Sequence, residues 1–258
     1  MQDYRPQRHP AYLWLVRHGE SAGNVARDAA HAAGAARIDI SERDVDVPLS
    51  ALGERQASAL GRWFAGRPES ERPDLVLASP YRRAVGTAEA IRLAGGLASA
   101  APSLLVDERL REKEFGILDR LTRVGIKQLH PEQAELRRDL GKFYHRPPGG
   151  ESWCDVILRL RSALDTIALH HAGQRVLIVA HQVVVLCFRY LLEGLTEGEI
   201  LGIDAEGDVM NCGVTEYAFS ADAQPGGGLV LARYNLVAPL EAEGAPVTSE
   251  PDTNDAAK

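Results

Sequence analysis

The run at 176–180 constrains the fold of this chain more than any other segment. Its five residues, VLIVA, are apolar throughout and mostly β-branched, which is typical of a strand that is covered on both faces. Such strands occur in parallel sheets with helices packed on each side. We therefore expect a central strand here, between two layers of helices.

Strand and helix patterns alternate along the rest of the chain. Short apolar runs predict strands at 12–16, 75–78, 104–106, 213–219 and 229–234. Apolar residues at helical spacing predict helices at 51–64, 82–93, 152–171 and 183–192. Strands separated by helices indicate an α/β fold with a largely parallel sheet, arranged as a three-layer α/β/α sandwich.

Composition and charge argue against several classes of protein. The formal net charge of the 258 residues is −7, so binding to nucleic acid or to an anionic membrane surface is not expected. The longest apolar runs are far shorter than the roughly 18 residues that span a bilayer. Three widely spaced cysteines fit a reducing compartment. The polar N-terminus MQDYRPQRHP lacks a signal-peptide core, so we expect a cytoplasmic protein.

Both ends of the chain contain little that could pack. Residues 1–10 are expected to form a loose lead-in, and residues 236–258, which end in EAEGAPVTSEPDTNDAAK, a disordered tail. Residues 11–235 would form a single domain. Within it, the stretch at about 109–148 is a basic insert, because residues 109–146 hold ten Lys or Arg against six Asp or Glu. The insert could cover a site and attract an anion, or it could be a solvated helical cap.

Three of the predicted strands end in residues that carry chemistry. The first ends in Arg17 and His18, the second is followed by SPYRR at 79–83, and the strand 176–180 by His181. Ligands of open α/β sheets bind outside the carboxyl ends of the strands, so these side chains are expected at one rim. A planar guanidinium donates two parallel hydrogen bonds to an oxyanion, which makes phosphate the obvious ligand.

The same residues suggest how a phosphate ester could react. Nearby positive charge disfavours imidazolium, so His18 is expected to be neutral and able to attack phosphorus. Arg17 and Arg83 would neutralise the phosphoryl oxygens, and His181 would add a donor on the other side. The leaving oxygen needs a proton. The candidates for that acid lie in LREKEFG at 110–116 and are Glu112 and Glu114.

Six motifs in this order resemble the histidine phosphatase superfamily, which also contains the cofactor-dependent phosphoglycerate mutases. They are RHGES at 17–21 with Asn24, PLSALGERQA at 48–57, SPYRRAVGTA at 79–88, LREKEFG at 110–116, GGES at 149–152 and VAH at 179–181. RHG alone is a weak signal, whereas the ordered set is specific. The resemblance implies a mixed, mostly parallel sheet flanked by helices in a histidine phosphatase-like catalytic domain, and it implies no metal or other cofactor.

The resemblance also implies a role for each site residue. His18 would be the nucleophile that becomes phosphorylated, and Glu112 the proton donor and later the base for water. The residues that would hold the phosphoryl group are Arg17, Asn24, Arg83 and His181.

Three of these assignments have a local alternative. Arg83 is preferred to Arg82 because the arginine of this motif directly precedes alanine. Glu112 is preferred to Glu114 because it lies four residues before the glycine of its motif. Asn24 could instead cap the following helix.

Three features depart from the family pattern. Gln182 follows the second histidine, where glycine is common, so its side chain could narrow the pocket or touch the substrate. The link at 25–47 is long and begins rich in alanine, and its role is open. Residues 118–120 lack the glycine often found after the acid motif, so the resemblance does not define that loop.

Two other interpretations of the same residues are disfavoured. GESAG at 19–23 matches the G-x-S-x-G elbow of serine hydrolases, with Ser21 as nucleophile and His181 as base. A hydrolase elbow follows several strands, whereas only one precedes this segment, and the match leaves the arginines unexplained. A metal site built on His18 and His181 lacks HxxxH or HxH spacing, and no glycine-rich nucleotide loop is present.

The residues and the resemblance together predict a metal-independent phosphatase that hydrolyses a small phosphomonoester through a phosphohistidine at His18. A phosphoglycerate mutase uses the same intermediate, returns the phosphoryl group to a second substrate oxygen, and is the first alternative. The second alternative is a module that binds a phosphorylated ligand without turnover. The expected partner is a small phosphorylated substrate, and the sequence specifies neither that substrate nor the oligomeric state.

Overall fold

The computed structural model describes residues 8–97, 104–223 and 226–249. The strands are β1 Tyr12–Arg17, β2 Leu75–Ala78, β3 Leu104–Val106, β4 Arg175–Ala180, β5 Val214–Ser220 and β6 Gly228–Leu236. The helices are α1 Ala22–Ala32, α2 Ala51–Ala65, α3 Arg82–Ala94, α4 Arg123–Leu129, α5 Pro131–Tyr144, α6 Trp153–His170, α7 Gln182–Glu193, α8 Glu197–Glu206 and α9 Ala238–Ala242. In those ranges, no helix combines the length and hydropathy that a membrane crossing needs.

The strands form one mixed sheet in the order β3-β2-β4-β1-β5-β6. β1 and β4 pair in parallel at its centre, with Arg17 opposite Ala180. β2 and β3 continue the parallel part on one side, and β5 and β6 add antiparallel strands on the other. The mixed, mostly parallel sheet implied by the resemblance is therefore confirmed.

Helices cover both faces of the sheet. Side chains of a strand alternate between its faces, and the buried residues of β1 divide accordingly. Leu13 and Leu15 belong to the core that includes Leu160 of α6, whereas Trp14 and Val16 belong to a second core shared with α2 and α3. Two cores on opposite faces confirm the predicted three-layer sandwich.

Two segments outside the sheet, residues 35–44 and 118–122, join into what we call the roof. The backbone amide of Ile38 donates to the carbonyl of Arg120 at 2.9 Å. The Arg120 guanidinium in turn donates to the carbonyl of Glu42 at 2.6 Å. Both segments line the cavity at the carboxyl end of the sheet, so the long link after α1 and part of the basic insert together cover the site.

The C-terminal part of the chain corrects one prediction. The expected disordered tail at 236–258 instead begins with the end of β6 and the helix α9, whose Leu240 is fully buried against α2 and α3. Residues 245–249 continue along the molecule, and Ala245 is buried as well. The prediction of disorder from the polar composition was wrong for this part, because a few apolar residues suffice to dock a short segment onto an existing core. The expectations for residues 1–7 and 250–258 lie outside the described residues.

Candidate active site

The two histidines of the motifs lie side by side at the carboxyl end of the sheet. His18 directly follows β1 and His181 directly follows β4, and the parallel pairing of these strands places the two residues next to each other. Their ring centroids are 5.2 Å apart and the ring planes meet at 64°. Both side chains are buried.

Hydrogen bonds define the tautomer of His18. Its Nδ1 lies 2.8 Å from the carbonyl oxygen of Gly19, and because a carbonyl can only accept, Nδ1 carries the proton. Nε2 is then a bare lone pair, which accepts from Nε of Arg83 at 3.2 Å. Burial, Arg83 and Arg17 hold the pKa of His18 well below its usual range, so the ring is neutral.

His181 has its other ring nitrogen, Nδ1, directed at Glu112. Ser79 Oγ accepts from the backbone amide of Tyr81 at 3.3 Å, so its hydroxyl proton is available to Nε2 of His181, 2.7 Å away. With the Ser79 hydroxyl donating to Nε2, Nδ1 of His181 carries the proton. It has no hydrogen-bond partner among the described residues and lies 3.9 Å from Oε2 of Glu112. Buried polar groups normally have a partner, so Nδ1 is the nitrogen of His181 that is left to interact with a ligand.

Arg83 joins His18 to the roof. Besides its bond to His18, its guanidinium donates through Nη1 to the backbone carbonyl and to Oδ1 of Asp44, at 2.6 and 2.9 Å. Arg83 is buried, whereas the Asp44 side chain remains 40% exposed. Arg82, the alternative in the motif, is exposed. The arginine predicted to hold phosphate is thus aimed at the nucleophile and is itself oriented by a carboxylate.

Arg17 is anchored on the other side of the histidines. Its Nη1 donates to Oε1 of Gln182 at 3.0 Å and to the carbonyl of Val209 at 2.6 Å. Gln182 donates in turn to Oδ1 of Asp208 at 3.2 Å and also lines the cavity. The glutamine that departs from the family pattern therefore orients a site arginine, a role that spacing alone did not indicate.

Glu112 has the properties of a proton donor. Its side chain is 14% exposed, and Oε1 accepts from the backbone amide of Lys113 at 2.8 Å. Burial raises its pKa to about 7, and the nearby Asp44 carboxylate adds to the rise. Glu114 is exposed and its backbone amide binds Glu151. The structure thus brings Glu112, the preferred candidate, to the histidines.

Asn24 combines the two roles predicted for it, since it caps a helix and also lines the cavity. Its Oδ1 accepts from the backbone amide of Ser21 at 2.8 Å, and its own backbone amide donates to Ser21 Oγ, which is a capping box at the start of α1. Asn24 also lines the cavity, where Nδ2 remains the group able to donate to a ligand. Ser21, the nucleophile of the hydrolase interpretation, is engaged as this helix cap.

The cavity has a volume of about 90 Å³, and the site residues that line it are Arg17, His18, Asn24, Arg83, Glu112 and Gln182. Lining residues outside the predicted set come chiefly from α1 and the roof, and they include Arg27, Ile38, Glu42, Asp44, Asp119 and Arg120. The roof residues among them were missed because they lie in segments without strand or helix periodicity. Among the described residues, no group of three or more His, Cys, Asp or Glu side chains is placed to hold a metal ion.

Comparisons with known proteins agree on one family. The histidine phosphatase superfamily (branch 1) matches residues 13–225. A Yersinia enterocolitica protein named probable phosphoglycerate mutase GpmB is 34% identical over 185 residues, which cover 71% of this chain and 75% of that protein.

Solved structures extend the similarity. A mycobacterial glucosyl-3-phosphoglycerate phosphatase superposes with a TM-score of 0.66 and 26% identity, over 87% of this chain and 99% of that one. The alpha-ribazole phosphatase from Shigella flexneri, at 23% identity and a TM-score of 0.66, covers 88% of this chain and 96% of that one. At that identity the second likeness shows the fold alone.

Proposed function

Because this chain belongs to the histidine phosphatase superfamily (branch 1), we propose that it is a metal-independent phosphatase acting on a small phosphomonoester through a phosphohistidine at His18. One observation carries the proposal. The bare Nε2 of His18 and the unpartnered Nδ1–H of His181 lie beside the Glu112 carboxyl, whose pKa burial raises to about 7. His18 and Glu112 line one small cavity, and His181 lies directly beside both of them, so a nucleophile, a general acid and an oxyanion donor are close together.

The first step transfers the phosphoryl group to the enzyme. The lone pair on Nε2 of His18 attacks phosphorus, an N–P bond forms, and the bond from phosphorus to the ester oxygen breaks. The protonated carboxyl of Glu112 gives its proton to that departing oxygen, which leaves as an alcohol. Nε–H of Arg83, which is directed at His18 Nε2 in the free site, is then available to a phosphoryl oxygen, and Nδ1–H of His181 to another.

The second step returns the site to its starting state. Glu112, now a carboxylate, takes a proton from water as the water oxygen attacks phosphorus. The N–P bond breaks, its electrons return to Nε2 of His18, and inorganic phosphate leaves. Throughout, the Gly19 carbonyl holds the proton on Nδ1, so the ring can accept and release the phosphoryl group at Nε2 without changing tautomer.

The named Yersinia relative supports a second candidate, phosphoglycerate mutase activity. The roof argues for the phosphatase. The carboxylates of Glu42, Asp44 and Asp119 line the cavity, and Asp44 occupies donors of Arg83. A mutase must retain a bisphosphate that also carries a carboxylate, and these groups repel such an anion. Arg27 and Arg120 supply positive charge in the same wall and offset part of this repulsion.

The experiment that tests the proposal compares hydrolysis with isomerisation. Purified protein is incubated with p-nitrophenyl phosphate, glycerol 3-phosphate and 3-phosphoglycerate, with EDTA present, and phosphate release is measured. Formation of 2-phosphoglycerate is followed with and without 2,3-bisphosphoglycerate. We expect phosphate release from the monoesters and little isomerisation. Efficient isomerisation with little hydrolysis would establish the mutase instead. Inactivity on every ester, together with thermal stabilisation by phosphate, would indicate a binding module.

A further inference from the structure

The segment 245–249, which we call the C-terminal strap, reaches the backbone of the loop that carries His18. Two amide side chains, Asn211 and Gln56, lie between the strap and this loop. Both are fully buried. The strap lies outside residues 13–225, the part of the chain that matches the family.

Asn211 connects the strap to His18 itself. Its Nδ2 donates to the carbonyl oxygen of His18 at 3.0 Å. Its Oδ1 accepts from the hydroxyl of Thr248 at 3.0 Å, and its backbone amide donates to the carbonyl of Thr248 at 2.9 Å.

Gln56 connects the strap to the other end of the loop. Its Oε1 accepts from the backbone amide of Glu20 at 2.9 Å. Its Nε2 donates to Oγ1 of Thr248 at 2.9 Å and to the carbonyl of Pro246 at 2.8 Å. Gln56 belongs to α2, so this helix is hydrogen-bonded both to the strap and to the His18 loop.

Backbone groups set the direction of both amides. The His18 carbonyl can only accept and the Glu20 amide can only donate, so the nitrogen of Asn211 faces His18 and the oxygen of Gln56 faces Glu20. The oxygen of Asn211 and the nitrogen of Gln56 then face the strap, where the Thr248 hydroxyl donates to the first and accepts from the second. Reversing either amide would set two donors or two acceptors against each other, which buried polar groups do not tolerate.

We propose that Thr248 is a positioning residue that holds the backbone of residues 18–20, and through it the imidazole of His18, in the geometry for attack. The role as a positioning residue for catalysis rests on the proposed function. The loop packs tightly: a Cβ on Gly19 would lie 2.6 Å from the carbonyl oxygen of Gly53 in α2. Close packing of this kind transmits a displacement of the strap to the ring instead of absorbing it.

The test compares Thr248→Val, which keeps the shape and removes the hydroxyl, with Thr248→Ser, which keeps the hydroxyl. We expect Thr248→Val to lower kcat for p-nitrophenyl phosphate about ten-fold, because small displacements of a nucleophile have large effects on rate, with KM within about two-fold. Thr248→Ser should restore kcat to within about two-fold of wild type.

A pair of truncated chains tests the strap as a whole. A chain ending at Gly244 lacks the strap and should lose kcat at least as much as Thr248→Val. A chain ending at Ser249 retains the strap, is the matched control, and should keep the kcat of wild type. Equal kcat in the two truncated chains would overturn the proposal.

Two further measurements distinguish a positioning role of Thr248 from a role in stability alone, and test it independently of the proposed function. Thermal unfolding shows whether each variant is folded at the assay temperature, and a variant that only melts earlier, with kcat unchanged, would overturn the proposal. The ¹⁵N resonances of the His18 ring should move in Thr248→Val and return in Thr248→Ser; unchanged resonances would also overturn it. Wild-type protein without phosphatase activity would count against the proposed function, whereas the His18 resonances would still decide the role of Thr248.

Discussion

The ring centroids of His18 and His181 are 5.2 Å apart, and the two rings leave different nitrogens available to a ligand. His18 uses its Nδ1 proton on the Gly19 carbonyl and presents the bare Nε2. With Ser79 donating to its Nε2, His181 presents Nδ1–H. The pair has this complementarity because each ring is held by a different neighbour at the end of a different strand.

Replacing Glu112 by glutamine should slow poor leaving groups most. Alkyl phosphates need the proton that Glu112 donates, so their kcat/KM should fall about 10²–10⁴-fold, whereas p-nitrophenyl phosphate should lose much less. In wild type the active form is protonated, so kcat/KM should decline as pH rises through about 7, the pKa of Glu112, and this decline should be absent in Glu112→Gln. Equal slowing of both ester classes would contradict the donor role.

The same substitution should make the protein more stable at alkaline pH. Burial raises the pKa of Glu112 from 4.5 to about 7, so between these values the unfolded chain ionises while the folded chain does not, and stability is lost as pH rises. The full effect, present above pH 7, is about 3 kcal/mol at 1.36 kcal/mol per pH unit. Urea unfolding of Glu112→Gln should show the gain at pH 8 and little difference at pH 4.

Glu114→Gln is the matched control for that measurement. Glu114 is exposed two residues along the same segment, and its loss should change the free energy of unfolding by less than about 0.5 kcal/mol at either pH. A Glu112→Gln protein that is less stable at pH 8 than wild type would show that the folded state stabilises the Glu112 carboxylate instead of penalising it by burial.

Asp44 should discriminate against substrates that carry a second anionic group. It binds Arg83 at the cavity wall, so Asp44→Asn is expected to raise kcat/KM for 3-phosphoglycerate relative to glycerol 3-phosphate, by about ten-fold because like charges then no longer oppose each other. Asp46→Asn is the control, since Asp46 lies in the same short turn but pairs with Arg43. An unchanged ratio of the two substrates in Asp44→Asn would remove Asp44 from substrate selection.

Ser79 should control the tautomer of His181. In Ser79→Ala, Nε2 of His181 loses its donor and can take the proton itself, which removes the donor at Nδ1. We expect kcat to fall about ten-fold or more, as tautomer loss does in other histidine sites, and the ¹⁵N spectrum of the His181 ring to show a changed proton position. A spectrum like that of wild type would mean that another group sets the tautomer.

The sequence indicated the site residues that follow strands and one that lies in a family motif. His18, Arg83 and His181 follow apolar runs whose parallel pairing brings their ends together, and Glu112 lies in a motif of the family. Asp44 could not be found in this way, because its contact with Arg83 spans 39 residues through a segment without strand or helix periodicity.

The C-terminal strap shows a second limit of sequence reasoning. Residues 236–258 are polar overall, and that average concealed Leu240, which is fully buried. Thr248 has no distinctive neighbours in sequence, and its importance arises only from the two amides that meet it in space. Hydrogen-bond networks between distant segments leave no periodic signal.

Trapping the phosphorylated enzyme tests the central claim most directly. Wild-type protein is mixed with a ³²P-labelled phosphomonoester, quenched in alkali within milliseconds and mapped by peptide, beside His18→Ala. We expect the label on His18 alone, no label in His18→Ala, and turnover at least about 10³-fold lower in that variant. Label on another residue, or substantial turnover without His18, would contradict the proposed phosphohistidine mechanism.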